Sequence, residues 1–382
     1  MNKLAIVLAT MISAGSAIGQ DRTPIRIGSM FETSGAIASL GNQGYEGAQI
    51  ALDQINKAGG VNGRPLELVQ INTESDETKS VTAVKRLIER EKVVALIGPH
   101  SSGSNFAIID IVQRASMPMV ALGASARIGL PVAEKPWIFM GQVTDAIVVG
   151  IMIEYMKKQG ISKIGLLVAD SAFAQSGREQ IELLAPRAGV QLVIQETFGS
   201  SDQDMTPQLT KIRGSNIDAA IIWGSGAGQA IAVKNYRQLG INKPLYLSHG
   251  CVDPNLLRLA GEALNGIICA SSKIGLAQYL PDSDPQKAGL SRFIADFQAK
   301  HGRAPSTFAG NGADAVMMLA AAIRKAGVSP RKIRDELESL NNHVGLNYVY
   351  SYSPQNHFGV EGASLAITTV RDLKFVPLDS RR

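Results

Sequence analysis

From Thr23 onward the chain alternates short apolar, β-branched runs with stretches of helical period, which restricts it to parallel sheets joined by crossover helices. Residues 25–30 read as a strand. Ala48, Ala51, Leu52 and Ile55 then share one helical face before Gly59-Gly60 stops the helix. The turn Val61-Asn62-Gly63-Arg64-Pro65 leads into a strand over 66–71, and Val81, Val84, Leu87 and Ile88 mark a second helix. Residues 93–97 are continuously apolar, as in a strand buried on both faces, and are followed by a helix from about Ser104 and a strand over 119–122.

A second series follows: helix 144–159, strand 164–168, helix 176–188, strand 190–197, helix 206–213, strand 218–223, helix 227–239 and strand 245–247. Beyond Ser271 come helices over 285–300, 312–326 and 329–340, then a short strand over 365–370. The expected class is α/β: two doubly wound parallel-sheet lobes, with a cleft at the carboxyl ends of their strands. A length of 382 residues is sufficient for two such units.

The first nineteen residues differ from the rest. Lys3, an apolar run from Leu4 to Ile12 and the small residues Ser13, Ala14, Gly15, Ser16, Ala17 and Gly19 read as a signal peptide cleaved near residue 19. The run is too short to span a bilayer, which needs about 20 residues. Export to the periplasm is therefore expected. An oxidising compartment permits a bridge between Cys251 and Cys269, but spacing alone leaves bridge and free thiols equally open. The net charge of +5 is scattered, not gathered into basic runs, so nucleic acid is not an expected partner.

Enzyme motifs fail on detail. Trp223-Gly224-Ser225-Gly226-Ala227-Gly228 follows a strand and opens a helix, but Gln229 stands where a dinucleotide fingerprint needs glycine. Gly98-Pro99-His100-Ser101-Ser102-Gly103-Ser104 has serine where a phosphate loop needs lysine. No Gly-x-Ser-x-Gly elbow occurs, and two cysteines without a histidine pair make no metal centre. No cofactor is expected. What remains are Ser101, Ser102, Ser125 and Ser225 just after strands, at helix N-termini suited to carboxylates. Each also reads simply as an N-cap.

Several stretches carry a family resemblance: Ile27-Gly28-Ser29-Met30 with Ser34-Gly35-Ala36, Gly41 through Gly47-Ala48, Asp53-Gln54-Ile55-Asn56 with Ala58-Gly59-Gly60-Val61-Asn62-Gly63, and Leu96-Ile97-Gly98-Pro99 with Ser101-Ser102-Gly103. With these, the mature chain resembles the substrate-binding proteins of branched-chain amino acid ABC transporters, of the type I periplasmic binding fold. The resemblance implies two lobes joined by three crossover hinge segments, with ligand clamped between them. It places the first lobe at 24–141 plus 274–344 and the second at 142–273 plus 345–376. ABC permease subunits are the implied protein partners, and a monomer is expected.

By the same resemblance, Ser102 and Ser125 hold the ligand carboxylate beside the backbone of Gly123, and Phe173 supplies the second-lobe aromatic after Asp170. Leu40 stands where the first loop often carries an aromatic. Ser101, Ser225, Gly226, His249 and Asn311 complete the expected ligand-binding set, with Gly250. Gly250 departs from the family pattern, which offers an acid to the ligand ammonium at that place. A desolvated, unpaired ammonium costs several kcal/mol, so a zwitterion is disfavoured unless Asp253 reaches in. His249-Gly250 and Pro354-Gln355-Asn356-His357-Phe358-Gly359 are similar to the subgroup that takes aromatic acids and keto acids.

Overall fold

The computed structural model describes residues 23–199, 202–360 and 364–378; the signal peptide assigned to residues 1–19 lies outside them. The first series forms β1 (Ile25–Ser29), α1 (Ala38–Lys57), β2 (Leu66–Gln70), α2 (Glu77–Glu89), β3 (Leu96–Ile97), α3 (Ser102–Arg114), β4 (Met119–Ala121) and β5 (Ile138–Met140). The five strands lie in the order β2-β1-β3-β4-β5, every pair parallel. Their inward side chains, Ile27, Leu96, Ile97, Val120 and Phe139 among them, are fully buried, as expected of a sheet covered by helices on both faces.

The second series runs α4 (Asp145–Lys158), β6 (Lys163–Ala169), α5 (Ala172–Arg187), β7 (Gln191–Phe198), α6 (Thr206–Arg213), β8 (Ala219–Trp223), α7 (Gly226–Gln238), β9 (Leu245–Leu247), α8 (Pro254–Ala260) and β10 (Ile268–Ser271). The chain then returns to the first sheet through α9 (Lys287–His301), α10 (Thr307–Ala326) and α11 (Pro330–Glu338), with α10 packed along α1. A short hairpin, β11 (His343–Val344) and β12 (Val349–Tyr350), precedes β13 (Ala366–Arg371) and β14 (Lys374–Pro377). These last two join the second sheet, ordered β14-β13-β10-β9-β8-β6-β7.

That edge departs from the all-parallel expectation: β13 runs antiparallel to β10, and β14 antiparallel to β13. The β13–β14 turn is Asp372-Leu373, both in the left-handed region at φ 49° and 58°, where the sequence offers none of the usual glycine signal for a two-residue hairpin. Five strands, β5, β10, β11, β12 and β14, were not anticipated, being two to four residues long and without alternation.

The chain passes between the sheets three times, after β5, after β10 and before β13. The hydroxyls of Tyr350 and Tyr352 donate to the carbonyls of Gly141 and Met140, at 3.0 and 2.8 Å, and Met140 N–H donates to His357 O at 2.8 Å. Residues 350–357 are thereby held against β5.

Cys251 and Cys269 form a disulfide, with a sequence separation of 18, which ties the turn after β9 to β10. Among the described residues, no helix is long and apolar enough to cross a membrane, and no group of His, Cys, Asp and Glu is placed to hold a metal ion.

Candidate functional site

A cavity of about 700 Å³ opens between the two sheets. The N-termini of three helices border it, each at the carboxyl end of a parallel strand: α3 after β3, α5 after β6 and α7 after β8. The leading N–H groups of a helix have no acceptor inside it and carry the positive end of its dipole. Three such ends make the cavity hospitable to an anion although no Lys or Arg lines it.

The turn into α3 divides this capacity. Ser101 is the N-cap, its hydroxyl accepting from Ser104 N–H at 3.2 Å. The N–H groups of His100 and Ser101 are taken by the buried carboxylate of Glu32, at 3.1 and 2.9 Å. The first-turn residues Ser102 and Gly103 both line the cavity, and the Ser102 hydroxyl accepts only a long bond from Ser125 N–H, at 3.4 Å. In the second lobe Ser171 caps α5 through its hydroxyl, whereas Ser225, N-cap of α7, makes no such bond and faces the cavity with a free hydroxyl.

Apolar surface completes the walls. Leu40 and Phe308 stand on the first-lobe side; Phe173 and Phe198 stand on the second. Phe173 packs on Trp223, with ring centroids 5.9 Å apart, and meets the His249 ring edge-on at 5.5 Å. Burial pushes His249 down to about 4, so the imidazole is neutral at pH 7. Gly250 lines the cavity next to it. The charged groups of the lining are Glu77 and Asp170, both exposed at the mouth.

Of the residues singled out in the sequence, Leu40, Ser101, Ser102, Phe173, Ser225, His249 and Gly250 line the cavity. Four do not. Ser125 is fully buried: its hydroxyl donates to Ser176 Oγ at 2.7 Å and accepts from Arg127 N–H, so the capping reading holds for it. Gly123 sits behind the wall between Leu122 and Ala124; a Cβ there would lie 2.5 Å from Ile128 Cδ1. Gly226 supplies a left-handed φ of 68° between Ser225 and Ala227, which do line the cavity. Asn311 lies beneath the surface and acts through Gln142, donating to its Oε1 at 2.8 Å. Asp253 does not reach in either. It caps α8 and accepts from Gln43 at 3.0 Å, and burial raises its pKa.

Gln142, His100, Phe198 and Phe308 are lining residues that the sequence did not reveal. Gln142 also belongs to a buried polar network. Asn347 donates to Asn311 Oδ1 at 2.6 Å, and Asp314 accepts from the backbone of Leu346 and Asn347 at 2.5 and 2.9 Å. The Tyr350 hydroxyl lies 2.9 Å from Asp314 Oδ2 and 3.0 Å from Gly141 O, two acceptors for one phenolic hydrogen. Burial pushes Asp314 up to about 7, against the lowering effect of the hydrogen bonds it accepts from Leu346, Asn347 and Tyr350.

Known proteins share this arrangement. The family model described as "Periplasmic binding protein" matches residues 24–371. A Leu/Ile/Val-binding protein homolog 7 from Brucella melitensis is 22% identical over 366 residues, covering 92% of this chain and 90% of the relative. An extracellular ligand-binding receptor from Rhodopseudomonas palustris superposes with a TM-score of 0.87 at 26% identity, covering 93% of this chain and 99% of that one. The branched-chain amino acid transporter substrate-binding protein LivJ of Streptococcus pneumoniae, solved with isoleucine, gives 0.81 at 26% identity over 92% and 97%. Two parallel-sheet lobes around an interlobe cavity, and a match over nearly the whole described chain, place this protein in the periplasmic binding protein family, whose members are solute-binding proteins of transporters and not enzymes.

Proposed function

We propose that this protein captures a small carboxylate with an aromatic or branched apolar body, keto acids included, and delivers it from the periplasm to an ABC importer as a monomer. The observation that carries this reading is the pairing of three helix N-termini with aromatic walls in one cavity lined by no Lys or Arg. In this reading the carboxylate meets the Ser102 hydroxyl and the N–H groups of Ser102 and Gly103, with Ser225 opposite. Phe173, Leu40 and Phe308 hold the apolar body. Ser101, Gly123, Ser125, Gly226 and Asn311 shape the walls from behind or from the rim. The lobes are taken as 24–141 plus 274–344 and 142–273 plus 345–376. Permease subunits are the expected partners.

Gly250 offers no acid to an ammonium at its own place, Asp253 is engaged elsewhere, and the second-lobe acid in the lining, Asp170, is exposed at the mouth. Phenylpyruvate should therefore bind at least about tenfold more tightly than phenylalanine or leucine, equivalent to about 1.4 kcal/mol. Titration calorimetry in one buffer tests this, and tighter binding of either amino acid overturns it. The second reading, a branched-chain amino acid binder, is favoured by Glu77 and Asp170 at the mouth, where an ammonium would find charge. The relative solved with isoleucine points the same way.

A further inference from the structure

Two buried histidines line the cavity with no hydrogen bond to their rings; His100 lies 3.7 Å from the Glu32 carboxylate, whereas burial alone acts on His249. Its residue is only 5% exposed, and no hydrogen bond to its ring occurs among the described residues. Nδ1 is sealed away without a partner, leaving Nε2 as the ring nitrogen that can meet a molecule in the cavity. The ring is fixed between two aromatic neighbours, edge-on to Phe173 at 5.5 Å and to Trp223 at 6.2 Å between centroids. Trp223 is itself immobilised, since its indole closes on the backbone of Gly177, where a Cβ would come within 2.0 Å of Nε1. In that position, leaving both nitrogens unsatisfied costs the desolvation of a polar group. A ligand atom is what the position lacks.

We infer that His249 Nε2 hydrogen-bonds an uncharged oxygen of the ligand, a keto or hydroxyl group carried in addition to the carboxylate. No charged group lies against the ring, and burial alone holds it neutral. A neutral imidazole offers one directed hydrogen bond but no charge. It therefore selects a keto or hydroxyl oxygen over a second carboxylate or an ammonium, each of which would need a counter-charge once desolvated. The inference rests on the carboxylate reading above and narrows it to oxygenated acids.

Matched ligand pairs separate the two ideas. Phenylpyruvate and 3-phenylpropionate share ring, chain and carboxylate but differ by the keto oxygen; 4-hydroxybenzoate and benzoate differ by the phenol. In the wild-type protein at least one oxygenated member should bind about tenfold or more tightly than its partner. His249→Leu should erase that ratio while keeping the affinity for the deoxygenated member, whereas Ser102→Ala should weaken both members alike and preserve the ratio. Nitrogen-15 spectra of the unaltered protein supply a readout that does not depend on a variant folding: the oxygenated ligand should shift the His249 Nε2 resonance and its partner should not. Equal binding within both pairs overturns the inference and leaves the carboxylate reading standing. Persistence of the ratio in His249→Leu, or loss of the deoxygenated ligand too, also overturns it. Failure of all four carboxylates to bind overturns both.

Discussion

Ser101 and Ser102 are neighbours in sequence with different roles, because one hydroxyl caps α3 while the other faces the cavity. Ser102→Ala should weaken a bound carboxylate by about 1.5 to 3 kcal/mol, the range for hydrogen bonds to charged groups, measured by calorimetry. Ser125→Ala should change affinity far less and act on stability instead, since Ser125 hydroxyl bonds only within the wall. The distinction was not legible in the sequence. A serine after a parallel strand declares a helix start near the cleft, but which way its hydroxyl turns depends on partners such as Ser176 and Arg127 that only the fold brings near. The same holds for Phe308 and Gln142, which reach the cavity from distant parts of the chain. His249 and Gly250 were singled out through the family resemblance, which marks the turn after the strand over 245–247.

At the scale of elements, α1 and α10 approach closely enough to exclude side chains. A Cβ on Gly47 would lie 1.9 Å from Ala309 O, and one on Gly312 would lie 2.0 Å from Gly44 O. Both obstacles are backbone and cannot rotate away. Gly47→Ala should therefore cost about 1–3 kcal/mol or more, read as a lower denaturant midpoint with an unchanged slope. The Asp314 junction predicts a pH effect. Its folded pKa of about 7 lies above the ordinary 3.8, so the folded state holds a proton that the unfolded chain releases. The stability this gives is complete below pH 3.8 and lost as pH rises through about 7. Asp145, raised to about 6, acts in the same direction, and His249 acts in the opposite one. Subtracting Asp314→Asn from wild type isolates the site: wild type should lose stability relative to the variant between pH 4 and 7. Parallel profiles across that window would refute the assignment.

At the scale of the molecule, ligand that touches α3 on one side and α5 and α7 on the other should draw the lobes together. The radius of gyration should then fall on saturation. An unchanged value, starting from an open free form, would rule out closure. The two-series α/β plan was legible because the β-rich runs at 25–30, 93–97, 164–168 and 218–223 become β1, β3, β6 and β8, the inner strands of their sheets. Inner strands must be apolar on both faces, and that leaves a mark in sequence. Edges β2 and β7 were legible too, but edges β5 and β14 left no mark. Strand β14 needs only one partner and a half-buried face, and the return of residues 350–357 to β5 is made by tyrosine hydroxyls, which no periodicity records.

The Cys251–Cys269 bond has a consequence for how the protein matures. With two cysteines in the whole chain there is a single possible pairing, so oxidation has no wrong partner to sample. The loop it closes is short and local, and its loss should lower stability by about 3 kcal/mol in the chain-entropy account. Since Cys251 immediately follows Gly250, reduction would release one end of the back wall that carries His249. Protein produced in a reducing cytosol should therefore keep the same topology, melt earlier, and recover its melting temperature on simple air oxidation without an isomerase.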